Sequence, residues 1–231
     1  MRLFFDTVRP MFRGQRMTQS QVSGLEAIVN RGASIMPRSH LAYILATAFH
    51  ETGQKCQPVR EGFAKSNSGA IRAVTGLYNK GIIRTNYAIP HSNGHSYYGR
   101  GLVQITWREN YGKMGRALGV DLTNDPDLAL DPDIAIACLF VGMQNGMFVR
   151  GKSLAMIPSD KPNHLAWRRA RGMINNDVTK NGARIAMYAM TFWLALEDAY
   201  ADPPKLDKEE HSLWCRILDF IGLGDHSAAG L

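Results

Sequence analysis

A chain of 231 residues with 45% apolar content is long enough to bury a core, and its size suits one domain or one domain with an appendage. Its 27 Lys and Arg against 20 Asp and Glu leave a net charge of +7, which favours acidic partners such as nucleic acid, anionic lipid or an acidic cell-wall polymer without choosing among them. Three widely spaced cysteines, Cys56, Cys138 and Cys215, form no CxxC pair and argue against both a disulfide framework and a zinc-thiolate site; they read as reduced thiols.

The opening MRLFFDTVRPMFRG places Asp6, Arg9 and Pro10 where a secretory signal would carry its apolar core and cleavage site, so the chain reads as made without one. Helical periodicity dominates from there, with no series of alternating strands. Val22, Leu25, Ile28 and Val29 recur at helical spacing over roughly Gln19 to Asn30, and Gly32 is a stop. A second helix is expected from Pro37 to Thr52, with Leu41, Ile44, Leu45 and Ala48 on one stripe and Gly53 as terminator.

The Gly-, Ser- and Asn-rich stretch from Gln54 to Tyr98 reads as a long functional loop holding one short helix, Ser68 to Tyr78. Further helices are expected at Trp107 to Leu118, Asp131 to Asn145, Leu165 to Ile174 and Ala183 to Tyr200. The longest apolar run, Ile185 to Leu196, is well short of the ~20 residues that span a bilayer and reads as a core helix, with no stable membrane insertion. DPPKLDKEE, residues 202–210, reads as a polar linker. The stripe Leu213, Trp214, Ile217, Leu218 and Ile221 after it reads as an amphipathic helix packed back on the domain. The organisation is thus one domain over 1–201, with its core at about 19–200, and an appendage over 202–231.

The second helix ends in AFHETG. A zinc peptidase of the HExxH type would need a histidine where Gln54 stands, so no metal site is read here. Three, four and seven residues before Glu51 come Ala48, Thr47 and Ile44, which place its carboxyl on a small, apolar face at the negative end of the helix dipole. Both disfavour the ionised form, as a general acid requires; the alternative is an exposed glutamate at a helix end. Ten residues on, beyond a turn at Pro58, Glu61 is either the second carboxylate of a glycosidase or the partner of Arg60 or Arg72 in a salt bridge.

SYYGRGLVQITWRENYG, Ser96 to Gly112, is the densest motif. Gly99 and Gly101 flank Arg100 and let backbone approach a ligand, while Tyr97, Tyr98, Trp107 and Tyr111 supply faces for sugar rings. Gln104, Thr106 and Asn110 are neutral hydrogen-bonding groups, Thr106 suited to a water and Asn110 to a substrate amide. No GK[ST] follows to make a phosphate loop, and the WRRAR cluster, Trp167 to Arg171, reads as a solvated helix face rather than a nucleic-acid patch.

HETG at 50–53 followed by YYGRGLVQITWRENY at 97–111 resembles the family 19 chitinases, and especially their phage relatives, the endolysins of lysozyme-like fold. The resemblance runs from about residue 20 to 200 and implies a mainly α, lysozyme-like, two-lobed helical domain with a central cleft. It puts the family's general acid on Glu51 and the second glutamate on Glu61, with polar substrate-side positions at Gln104, Thr106 and Asn110. It also promotes Asn175 of MINND and Arg184 of RIAMY, which on their own read as a helix cap and a surface cation. Asn176, where plant-type enzymes carry glycine, and the absence of their disulfide cysteines favour peptidoglycan over chitin.

The resulting expectation is a phage endolysin, monomeric and free of metal or cofactor, cutting β-1,4 bonds of bacterial peptidoglycan. It would wait in the cytoplasm of the infected bacterium or, alternatively, ride in the virion. The rivals are a chitinase, a lytic transglycosylase using a single Glu, and a basic wall-binding or nucleic-acid-binding module.

Overall fold

The computed structural model describes residues 1–159 and 161–199, so the linker and amphipathic stripe expected beyond 202 lie outside the described residues. It is mainly helical, as the sequence implies: α1 (Arg2–Val8), α2 (Gln19–Gly32), α3 (Arg38–Glu51), α4 (Asn67–Asn79), α5 (Arg108–Leu118), α6 (Pro132–Gln144), α7 (His164–Ala170) and α8 (Val178–Ala199). The described strands are two residues each, β1 (Val59–Arg60) and β2 (Arg100–Gly101), paired antiparallel with Val59 opposite Gly101 and Arg60 opposite Arg100. Where the sequence suggests one domain over 1–201, the chain resolves into two compact units. One comprises Met1–Cys56 and the described residues from Phe140 on; the other is Gln57–Leu139.

In the first unit α3 is the central element. Every residue from Ser39 to Phe49 is buried, and the polar ones, Ser39, His40 and Thr47, each meet a backbone carbonyl. Phe49 meets Phe12, Tyr188 and Phe192 at ring separations of 5.1, 4.9 and 5.9 Å, all edge to face, and the last two tie α3 to α8. A capping box opens α2: Thr18 accepts from the Gln21 N–H at 3.2 Å while the Gln21 side chain accepts from the Thr18 N–H at 2.8 Å.

Two expectations need correction here. The core does not begin near residue 19, because α1 buries Phe4 and Val8 against α8, with Phe4 stacked on Phe192 at 6.2 Å. The helix expected from Leu165 to Ile174 is α7 followed by a 3-10 turn at Arg171–Met173, a tightening that redirects Arg171.

The second unit has a smaller core of Ala70, Val74, Ala88 and Tyr98. Its organiser is Arg100, 1% exposed, whose guanidinium lies 3.7 Å from the Tyr98 ring centre and donates to Asp127 (2.7 Å), the Ser96 carbonyl (2.9 Å) and the Tyr111 hydroxyl (3.1 Å). Arg60 holds the other Asp127 oxygen at 2.8 Å. Burial pushes the Asp127 carboxyl up, but the two guanidinium groups outweigh it and hold it below the ordinary carboxylate range. Gly101 sits at φ +89°, where a Cβ would lie 2.8 Å from the Ala129 carbonyl oxygen, so the hairpin admits no side chain there.

Among the described residues no helix is long and apolar enough to cross a membrane, and no group of three or more His, Cys, Asp or Glu could hold a metal ion.

Candidate active site

Glu51 is the last residue of α3, in the first unit, and the chain beyond it is stapled. Thr52 Oγ1 donates to the Ala48 carbonyl at 2.7 Å and accepts from the Cys56 N–H at 2.9 Å, while the Gln54 N–H reaches back to the Phe49 carbonyl at 2.8 Å. The expected apolar face is present, with Ile44, Thr47 and Ala48 buried. The structure adds something else to it: Nη1 of Arg171 donates directly to Oε1 of Glu51. Arg171 is 3% exposed and also holds Asp177, through Nε at 2.5 Å and Nη2 at 3.2 Å, with Asn181 donating to the same carboxylate. Glu51 is therefore one carboxylate of a network in which a single guanidinium faces two, which corrects the expectation of an acid set among small and apolar groups alone.

The groups around this network respond to it. Burial lowers the His50 pKa, outweighing the raising effect of Glu51, so the imidazole is neutral at pH 7. Burial pushes the Asp177 carboxyl up, yet Arg171 and Asn181 bring it below its usual range. Tyr43, two turns before Glu51 on α3, has its phenol pushed far up, first by burial, and its hydroxyl has no hydrogen-bond partner among the described residues.

Glu61 opens a 3-10 turn, Glu61–Phe63, in the second unit. Neither Arg60 nor Arg72 pairs with it in the described contacts. Instead the Tyr87 hydroxyl donates to Oε1 and the Gly99 N–H donates to Oε2 at 2.8 Å. Burial, and then Glu61 itself, push the Tyr87 phenol well above its ordinary pKa, so it remains a donor throughout the working range. The Gly99 amide reaches the carboxylate because the residue has no Cβ: one there would stand 2.8 Å from Gln104 Oε1 and 3.2 Å from Glu61 Oε2.

The aromatic motif divides in a way that spacing could not show. Tyr97 and Tyr98 are both fully buried and offer no ring face to a sugar, which corrects the stacking role expected of them. Tyr97 donates to the Thr123 carbonyl at 2.8 Å, and Tyr98 packs under Arg100. Tyr111 is buried as well. Trp107 is 46% exposed, lies 5.2 Å from the Tyr87 ring and is held at φ +71°, a strained conformation for a bulky residue.

Trp107, Tyr87, Asn86, Ile89 and Asn110 help line a groove of about 540 Å³. Asn110 Nδ2 donates to the Thr106 carbonyl at 2.9 Å, and Asn110 also lines the groove. Gln104 spends its amide N–H groups on the Val59 and Gly101 carbonyls, at 2.9 and 3.2 Å, and so braces the β1–β2 pair. Thr106 is half-buried one residue before Trp107.

Asn175 is exposed, and its N–H closes the turn onto the Arg171 carbonyl at 3.1 Å; Arg184 is exposed on α8, where its charge lowers the His50 pKa. The sequence reading missed Arg171, Asp177 and Tyr87. Arg171 belongs to the WRRAR cluster, whose reading as a solvated face holds for Arg168 and Arg169 but not for Arg171 or the buried Trp167.

The family described as chitinase class I, glycoside hydrolase family 19, matches residues 24–145, more than half of the chain. Endochitinase A2 of Pisum sativum is 60% identical over 47 residues, 20% of this chain and 14% of its own length. An endochitinase of Arabidopsis thaliana is 30% identical over 132 residues, 54% of this chain and 39% of its own. The chain thus spans well under half the length of these relatives. Among solved structures, chitinase C of Streptomyces griseus aligns over 88% of this chain and 78% of its own, with 19% identity and a TM-score of 0.45. With a family match that runs across Glu51, Glu61 and the whole YYGRGLVQIT string, the chain belongs to glycoside hydrolase family 19.

Proposed function

We propose that this chain hydrolyses β-1,4 glycosidic bonds between amino sugars, and that its polymer is bacterial peptidoglycan. The observation that carries the chemistry is that Glu51 and Glu61 are each held by fixed donors, Arg171 for one and Tyr87 with the Gly99 amide for the other, rather than by mobile surface cations. Glu51 passes a proton to the leaving-group oxygen, and Arg171 stabilises the carboxylate left behind. Glu61 takes a proton from a water, positioned with help from Thr106, that attacks the anomeric carbon from the opposite side and inverts it. Trp107 stacks on a sugar ring, and Asn110 meets a substrate amide. The +7 charge supports an anionic wall polymer over neutral chitin, and the setting we infer is host lysis by a phage endolysin.

Clearing of purified peptidoglycan by wild type, Glu51→Gln and Glu61→Gln, with mass analysis of the sugar ends, tests this reading. Both variants should lose at least about 100-fold in rate, and wild type should release ordinary reducing ends. Anhydro-sugar ends with an active Glu61→Gln would make it a lytic transglycosylase. Chitin cleavage with peptidoglycan untouched would make it a chitinase, the activity named for its relatives.

A further inference from the structure

The groove beside Trp107 does not end at neutral groups. It shares Arg108 and Glu109 with a second basin of about 450 Å³ whose other walls are Gly112, Arg116 and Thr123. Residues 108, 112 and 116 fall on one face of α5, four apart, so two guanidinium groups flank a bare glycine. Gly112 forms the floor, and the point where a Cβ would stand lies 3.4 Å from Thr123 Oγ1 and 3.5 Å from Arg116 Nη1, so both polar groups are close over it. Glu109, the one acid lining the basin, is bound to Lys113 at 2.7 Å, and its carboxyl is held low chiefly by that lysine. Glu109 also feels the charge of Arg116, so the basin sets two arginines against one acid that Lys113 chiefly binds, and its lining stays net positive.

We propose that this basin is a subsite for a carboxylate carried by the glycan, which takes the acid-bearing substituent or peptide stem of a muramyl sugar while the neighbouring groove takes the sugar ring. The proposal rests on the peptidoglycan reading above and deepens it. A neutral amino-sugar chain gives the aromatic and amide groups of the groove their partners but leaves both guanidinium groups with nothing to bind. A lactyl or stem-peptide carboxylate accepts from a guanidinium in the forked geometry arginine provides, and the Thr123 hydroxyl can donate to the same group. Exposure limits the strength of such a contact, so it tunes selectivity rather than setting the rate.

The test compares wild type, Arg116→Gln, the Arg108→Gln/Arg116→Gln double variant and the remote surface control Lys80→Gln on soluble peptide-bearing peptidoglycan fragments and on a neutral N-acetylglucosamine hexamer. The ratio of kcat/KM on the acidic fragment to that on the hexamer should fall about three- to tenfold in the double variant, carried by KM, and stay put in Lys80→Gln. An unchanged ratio in the double variant, or an equal fall in Lys80→Gln, overturns the subsite. Direct titration with a disaccharide tetrapeptide separates this inference from the function it rests on. If wild type binds the muropeptide through these arginines yet leaves peptidoglycan uncut, the hydrolase reading fails and the subsite stands; if wild type does not bind it, the subsite falls.

Discussion

Nη1 of Arg171 donates to Oε1 of Glu51, a residue 120 positions earlier in the chain, and the same guanidinium grips Asp177 through Nε and Nη2. Arginine suits this place because its planar fork can serve two carboxylates at once, which a lysine ammonium on a flexible stem does less well. Burial lowers the tendency of Arg171 to hold its proton, and the two carboxylates more than restore it, so the cation is permanent.

Removing that cation should cost both stability and activity. Arg171→Met leaves Glu51 without its cation and Asp177 with Asn181 alone, and is expected to destabilise the fold by about 3–5 kcal/mol. Arg171→Lys should recover part of that loss while kcat stays depressed. Urea unfolding together with kcat measurements checks both halves, and full activity in Arg171→Lys would show that only the charge matters.

Tyr87→Phe removes one hydroxyl from Glu61 and keeps the ring beside Trp107. The expected result is a fall in kcat of about ten- to a hundredfold, the worth of a hydrogen bond to a charged group, with little change in KM or unfolding midpoint. A drop in stability that matched the loss of activity would assign Tyr87 to packing instead.

The exposed and buried aromatics should behave oppositely. Trp107→Ala is expected to raise KM for an oligosaccharide about three- to tenfold and leave the fold intact. Tyr98→Ala takes the ring from beneath Arg100 and should cost about 3–5 kcal/mol of stability. Thermal unfolding beside steady-state kinetics distinguishes them.

Stability should decline in two stages as pH falls. His40 and His50 both have pKa values lowered from 6.5, chiefly by burial, so the unfolded chain binds those protons more readily and stability begins to drop as pH passes below 6.5. Asp127 and Asp177 are held below 3.8 by their arginine partners; their contribution persists above that value and is lost as pH falls through the lower native pKa values. Urea midpoints measured from pH 8 to pH 3 check this. A flat profile between pH 7 and pH 5 would remove the histidine stage.

The helices were legible because periodicity reports burial directly: the expected short helix at 68–78 is α4 at Asn67–Asn79, and the one at 131–145 is α6 at Pro132–Gln144. Side-chain destinations were less so. Four aromatics in one motif look equivalent in sequence, and only tertiary packing separates Trp107 from Tyr97, Tyr98 and Tyr111. Arg171 carries no local mark of its task, because its partner Glu51 is brought to it by the packing of α3 and α7 with α8. Tyr87 was hidden in the same way, in a loop with no repeating pattern.

Tyr43 has a consequence for heat tolerance. Its ring fills space inside α3's buried surroundings, but its oxygen is carried inward without a partner among the described residues, a burden of about 1–3 kcal/mol for a group of that kind. Phenylalanine at this position would keep the shape and discard the oxygen, so the melting temperature should climb. An engineer seeking a hardier variant would begin eight residues upstream of the acid, in the helix that presents it.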